Sequence, residues 1–311
     1  MTAIVCLSRD YDLKAAFEAD FARLAPKVRL LRPEEVADPE TIDYALVHAP
    51  GPEDFIPFPN LRMICSWGAG VDALMRHPGL PEGVVINRMT DPGQAQMMAA
   101  FAIYYVTGWH RGMFRYPKDQ EAKRWIENDW TPNAAITVGI LGFGKMGAAI
   151  GRAARALGYP VRAWAARARI EEGIEVCSGA AALDEVVRGS RVLINVLPLT
   201  EATTGILNAR LFERMRDDAL LVQLARGGHL VEADLIVALE AGRPAAAALD
   251  VFATEPLPQD HPFWTHPKIM VTPHAGSAAM NEGAVRAILR AIAADRAGAR
   301  PEGYVDRARG Y

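Results

Sequence analysis

The chain has 311 residues, 50% of them hydrophobic and 23% charged, a globular composition with length for about two domains. A formal net charge of -3 gives no electrostatic reason to expect nucleic acid or an anionic membrane as a partner. The three scattered cysteines argue against a disulfide framework, no apolar run reaches the roughly 18 residues of a membrane span, and MTAIVCLSRDYD lacks the basic and long apolar regions of a signal peptide, so the expected compartment is the cytoplasm.

Short runs rich in Val, Ile and Leu predict strands at Ala3–Leu7, Val28–Leu31, Tyr44–His48, Arg62–Ser66 and Val84–Ile86. Asp91-Pro92 then marks a helix start, with Asp as N-cap and Pro in the first turn, and the helix runs to about Gly112. An Arg- and Lys-rich stretch around Trp125 reads as helical. A second series of strands follows at Ile136–Leu141, Val161–Trp164, Arg191–Leu197, Ala219–Leu224, Ala246–Asp250 and Ile269–Thr272. Helical patterns lie between them, such as Ala148–Leu157 closed by Gly158, and a last one covers Ala278 to about Ala297. Near-continuous apolar strands alternating with helices imply parallel sheets covered on both faces. The expected fold class is α/β, two doubly wound parallel-sheet domains: residues 1–96 with 278–311, and residues 97–277.

The stretch VGILGFGKMG, residues 138–147, carries Gly142, Gly144 and Gly147 as G-x-G-x-x-G after a predicted strand and at the start of a predicted helix. In that context the first glycine makes the turn, the second lets a pyrophosphate reach the amides, and the third packs helix on strand. Phe143, Lys145 and Met146 complete the candidate cradle. An acidic residue about 20 positions on would bind a ribose 2′-hydroxyl. Ala165 ends that strand instead, and Arg162, Arg167 and Arg169 crowd it and the loop after it. A guanidinium suits a 2′-phosphate, so NADP(H) is the expected cofactor and NAD(H) the second choice. Arg167 is the first candidate and Arg169 the second; Arg162, alternating toward a sheet face, reads as structural.

LARGG (224–228), LDVFATEPLP (249–258) and VTPHAG (271–276) each end a predicted strand, where parallel sheets bind ligands. Arg226 can grip a carboxylate and polarise a carbonyl. His274 can deliver a proton near neutral pH, and a carboxylate such as Glu255 fixes its tautomer. With a hydride donor, that set reduces a 2-oxo acid. Gly68, Ala69 and Gly70 after a strand expose amides as an anion nest. The seven histidines show no metal pattern: His261 and His266 stand five apart with no ligand cluster, so no metal is expected.

VGILGFGKMG, RVLINVLPLT, LVQLARGG, LDVFATEPLP and TPHAG, in this order, resemble the D-isomer-specific 2-hydroxyacid dehydrogenases. WGAGVDAL, AWAARAR and the C-terminal VDRARGY point to the bacterial glyoxylate/hydroxypyruvate reductase A subgroup. The resemblance spans essentially the whole chain. It implies a flavodoxin-like substrate domain, a Rossmann coenzyme domain, an active site in the cleft between them, and a homodimer. It implies substrate binding by Arg226 and by the amides of the 68–71 turn, a catalytic acid in His274, and its partner in Glu255. Leu197, Pro198 and Leu199 would lie over the nicotinamide ribose, Leu224 and Ala225 would add cofactor contacts, and Asp250 would lie near the carboxamide. His48 departs from the aromatic common in the subgroup; Trp125 could reach a partner's active site, as a related aromatic does elsewhere in the family, or pack the dimer. The reaction implied is NADPH-dependent reduction of glyoxylate or hydroxypyruvate. A broader phenylpyruvate-type reductase, or a corepressor-like protein that merely binds the dinucleotide, are the alternatives.

Overall fold

A computed structural model describes residues 2–127, 130–279 and 281–311; Met1, Asn128, Asp129 and Met280 lie outside the described residues. By contacts the chain divides into a unit of residues 1–94 with 279–311 and a unit of residues 95–278.

The first unit contains β1 (Thr2–Leu7), α1 (Leu13–Leu24), β2 (Val28–Leu31), β3 (Tyr44–Val47), β4 (Met63–Ser66), α2 (Asp72–Met75) and β5 (Val85–Asn87). Their sheet order is β2-β1-β3-β4-β5, every pair parallel. Alternation along each strand sorts the side chains by face. Ile4, Cys6, Tyr44, Leu46, Met63 and Cys65 join Phe17 and Phe21 of α1 in one core. Val5, Leu7, Ala45, Val47, Ile64 and Ile86 pack with Phe55 and Phe58 in the other. Burial pushes the Cys6 and Cys65 thiols up to about 12, so both are unreactive fillers.

The second unit's chain begins within α3 (Pro92–His110), which starts at the expected Pro92 and ends where Gly112 turns left-handed at φ 66°. Next come α4 (Tyr116–Glu121), β6 (Val138–Leu141), α5 (Lys145–Ala156), β7 (Val161–Trp164), β8 (Arg169–Glu171), β9 (Ile174–Cys177) and α6 (Ala180–Gly189). The series closes with β10 (Val192–Asn195), α7 (Ala209–Phe212), β11 (Leu220–Gln223), α8 (Glu232–Glu240), β12 (Ala246–Leu249) and β13 (Ile269–Val271). Helix α9 (Asn281–Arg296) belongs to the first unit. The sheet order is β13-β12-β11-β10-β6-β7-β9-β8. Val138, Ile140, Val192, Ile194, Leu220 and Val222 face the core beneath α3 and α5. Leu141, Leu193, Leu221 and Leu249 face the core shared with Leu211, Phe212, Leu235 and Leu239.

Two features depart from the expectation. The sheet is not wholly parallel: β8 and β9 form an antiparallel hairpin at its edge, so Arg169 begins a strand where a loop was expected. Glu172 (φ 51°) and Gly173 (φ 74°) make its two-residue turn, the left-handed pair that matches strand twist. The polar segment RIEEGIEVC carries too little apolar periodicity to announce those strands. Trp125 is also not helical. After α4 the chain turns at Lys123 (φ 53°). Buried Asp119 accepts from Arg115 Nε at 2.8 Å and Arg124 Nη2 at 2.7 Å, which fixes an irregular segment. The helical expectation for Ala278–Ala297 includes Met280, outside the described residues; the described helix is Asn281–Arg296.

A Cβ at Gly147 would lie 2.0 Å from the Gly142 carbonyl oxygen, a backbone atom that cannot step aside. Gly147→Ala is therefore expected to lower unfolding stability by about 1–3 kcal/mol, the usual cost of overpacking. Chemical denaturation with an unchanged midpoint would contradict it.

Candidate active site

The candidate residues of the second unit lie where parallel strands end. Gly142 follows β6, Ala165 and Arg167 follow β7, and Pro198 follows β10. Arg226 follows β11, Glu255 follows β12 and His274 follows β13. Strand order reverses between β10 and β6, the switch point where such sheets open a crevice. From β6 to β13 is four strand spacings, about 19 Å, the scale of an extended dinucleotide and its substrate.

The glycine loop is shaped by its neighbours. Gly142, at φ 97°, has the conformation that L side chains avoid, and a Cβ there would meet Val196 and the Leu197 amide at 2.8 Å. Gly144 differs: its φ of -82° suits any residue, and a Cβ would meet nothing within 4 Å. Gly144 therefore leaves open space beside the amides. It is also the N-cap of α5, and no side chain caps that helix end. A helix end without a side-chain cap, a favourable helix dipole and an open approach fit a pyrophosphate. Buried Phe143, half-buried Met146, and Lys145, the first residue of α5, complete the turn.

The three arginines separate. Arg162 is an exposed residue within β7. Arg169 donates to the Phe143 carbonyl oxygen, stands 5.7 Å over the Phe143 ring, and pairs with Glu171 at 2.8 Å. It braces the glycine loop. Arg167 is exposed and has no ion pair among the described residues. Half-buried Ala165 takes a backbone bond to the Cys177 carbonyl at 2.9 Å.

His274 sits at φ 51°, in the left-handed region, a strained conformation that its surroundings hold. Its amide donates to the carbonyls of Asp250 at 2.8 Å and Thr272 at 3.1 Å. Its Nδ1 lies 2.8 Å from Glu255 Oε2, while Glu255 Oε1 accepts from the Phe252 amide at 3.0 Å. The carboxylate thereby orients the ring and leaves Nε2 facing away from it. Asp250, 1% exposed, accepts from Thr272 Oγ1 at 2.7 Å and from the amides of Ala275 at 2.8 Å and Gly276 at 2.9 Å. It ties β12 to the turn that carries His274.

Arg226 is half-buried in extended backbone, and its Nη1 donates to the Ala225 carbonyl at 2.7 Å. At the following residue a Cβ would fall 1.9 Å from the Phe252 carbonyl carbon, so only glycine fits at position 227. Leu224 and Ala225 are buried beside it, and Leu197 is buried before Pro198 and Leu199. A polar ladder that the sequence patterns did not single out runs beneath these loops. Asn195 donates to Gln223 Oε1 at 2.8 Å, Gln223 donates to the Arg226 carbonyl at 2.9 Å, and His229 lies between the carbonyls of Arg226 and Pro198. Each belongs to an apolar-looking strand end or a short turn, so only burial reveals it.

Gly68, Ala69 and Gly70 form the turn after β4 in the first unit. Trp67 before them stacks on Tyr11 at 5.0 Å and meets exposed His48 edge-on at 5.0 Å. Trp125 is 92% exposed. Among the described residues no group of three His, Cys, Asp or Glu side chains could hold a metal, and no helix is long and apolar enough to cross a membrane.

Comparison with known proteins places this arrangement. The family model for the NAD binding domain of D-isomer specific 2-hydroxyacid dehydrogenases matches residues 103–276. A glyoxylate/hydroxypyruvate reductase A of Serratia proteamaculans (strain 568) is 40% identical over 286 residues, 90% of this chain and 91% of that protein. Its counterpart in Yersinia enterocolitica serotype O:8 / biotype 1B is 39% identical over 279 residues, 88% of this chain and 89% of that one. A crystal structure of a D-isomer specific 2-hydroxyacid dehydrogenase from Xanthobacter autotrophicus Py2, in complex with NADPH and MES, superposes with TM-score 0.94 at 35% identity, covering 100% of this chain and 99% of that one. The NADPH-dependent glyoxylate/hydroxypyruvate reductase of Sinorhizobium meliloti, in complex with NADP and sulfate, gives TM-score 0.91 at 30% identity with 100% of both chains covered. A nucleotide-shaped glycine turn, an oriented histidine–glutamate pair and these whole-length likenesses agree: the chain belongs to the D-isomer specific 2-hydroxyacid dehydrogenase family.

Proposed function

We propose that this chain is an NADPH-dependent reductase of small 2-oxo acids, with glyoxylate and hydroxypyruvate as substrates and glycolate and D-glycerate as products. The observation that carries the reading is the His274–Glu255 pair held at 2.8 Å at the end of a sheet whose glycine turn opens a helix that no side chain caps. The relatives named for these substrates and the NADPH-dependent structure from Sinorhizobium meliloti support it. Residues 97–277 serve as the coenzyme domain, and residues 1–96 with 278–311 as the substrate domain.

Bound NADPH supplies the hydride that reaches the keto carbon. The amides of Gly144, Lys145 and Met146 hold the pyrophosphate, with Gly142 and Phe143 shaping the turn. Arg167 takes the 2′-phosphate, and Arg169 holds the glycine loop against β8. Leu197, Pro198, Leu199, Leu224 and Ala225 flank the nicotinamide end. Asp250 keeps the His274 turn in place there. Arg226 binds the substrate carboxylate and stabilises charge on the keto oxygen. His274 gives the proton from Nε2 to that oxygen, and Glu255 holds the ring in place through Nδ1. Gly68, Ala69 and Gly70 are further amide donors to the carboxylate.

A homodimer is part of the same proposal. Trp125 at 92% exposure, Trp130 at 79% and Tyr104 at 61% leave large rings in water on the second unit, and a second copy would cover them. The compartment we assign is the cytoplasm, consistent with three free thiols.

His274→Ala should lower kcat by roughly 10²- to 10⁴-fold for glyoxylate reduction, the usual worth of a general acid. Turnover near wild type would refute that role. Arg226→Ala should raise KM and lower kcat together; unchanged KM for both keto acids would remove it as the carboxylate clamp. Arg167→Ala should weaken NADPH by about tenfold while leaving NADH within about twofold, the difference of one charge-assisted contact. An unaltered ratio of kcat/KM for the two cofactors would reassign the 2′-phosphate.

A further inference from the structure

His229 is fully buried at the end of the short turn Gly227–His229. Its two ring nitrogens face two different loops. Nδ1 lies 3.0 Å from the Arg226 carbonyl oxygen and Nε2 lies 3.2 Å from the Pro198 carbonyl oxygen. We infer that His229 is a positioning residue for the reaction, an imidazole bridge that sets the Arg226 backbone and the loop after β10 in register. The inference rests on the roles proposed above for Arg226 and Pro198.

The bond pattern distinguishes a bridge from a core filler. The Arg226 carbonyl also accepts from the His229 amide at 3.1 Å and from Gln223 Nε2 at 2.9 Å. The Pro198 carbonyl also accepts from Thr203 Oγ1 at 2.7 Å, and Thr203 Oγ1 in turn accepts from the Thr200 amide at 2.9 Å. The ring thus joins two ordered polar knots, one under the arginine and one under the 198–204 loop. Fixing the peptide plane after Arg226 fixes the direction of its Cα–Cβ bond, and so the reach of the guanidinium. At the next residue the backbone of Phe252 and Ala253 lies where a Cβ of Gly227 would stand, so the chain there is closely packed.

The ring's chemistry suits the task. Both partners are carbonyl acceptors, so the bridge requires an N–H on each ring nitrogen, the imidazolium form; a neutral ring would serve only one of them. A leucine would fill the volume and serve neither. An asparagine amide nitrogen falls near the Nδ1 position, so it can keep the Arg226 contact. A glutamine amide nitrogen reaches the Nε2 position, so it can keep the Pro198 contact.

That difference supplies the test. NADPH affinity is read by fluorescence titration, and oxalate, a non-reacting analogue of the substrate carboxylate, by calorimetry on the NADPH-loaded enzyme. His229→Gln should keep NADPH affinity within about twofold and weaken oxalate on the order of tenfold, the scale of one lost buried hydrogen bond. His229→Asn should do the reverse, and glyoxylate KM should follow oxalate. His229→Leu should lose both; should it fail to fold, the two amide variants, checked by circular dichroism, carry the test alone. Equal losses in the two amide variants, or wild-type affinities in both, would overturn the bridge. If the wild type binds both probes yet reduces no 2-oxo acid, the reading of the activity fails while the split between the amide variants still decides the role of His229.

Discussion

Parallel strand direction is the constraint on which the coenzyme unit depends. Seven strands, from β13 across to β9, run the same way, so the segments after them emerge at one edge. The glycine turn, Arg167, Arg226, Glu255 and His274, spread over more than a hundred positions of sequence, arrive there without any element having to bend toward another. Strand spacing alone sets their separation.

Direction brings the loops to one edge but does not aim their side chains. Buried polar groups do that. Asp250 is nearly inaccessible, and both its oxygens accept bonds from the turn that bears His274. A buried carboxylate is costly unless its lone pairs are satisfied, so the bonds that stabilise the charge also fix the turn. Asn195, Gln223 and His229 do the same under Arg226, each fully buried. His274 is held in a left-handed backbone by this shell, which is how a strained residue persists.

The glycines divide into those the fold requires and one that it does not. Gly147 and Gly227 have carbonyl groups where a Cβ would lie, so packing dictates them. Gly144 has an ordinary φ and open space around it, so neither backbone geometry nor packing explains it. A nucleotide does. In the motif G-x-G-x-x-G the letters are equivalent, and the surroundings tell them apart.

Much of this was readable from residues alone. Val28–Leu31 and Val161–Trp164 coincide with β2 and β7, because four apolar-rich residues between turn signals leave little choice. The α3 start at Pro92 follows from proline's fixed φ and missing N–H. The hairpin of β8 and β9 was not legible, since the edge strand β8 is largely exposed and the buried alternation of β9, Ile174 and Val176 about Glu175, is only three residues long. Nor was the irregular course at Trp125, which depends on buried Asp119 gathering Arg115 and Arg124. Sequence by itself determined the chain's family, its α/β class and the kinds of chemistry at the strand ends, because those follow from local patterns and residue types. Tertiary structure decided which arginine braces the glycine loop, what Asp250 holds, and that His229 lies between two carbonyls, because burial and hydrogen-bond partners exist only once distant segments have packed together.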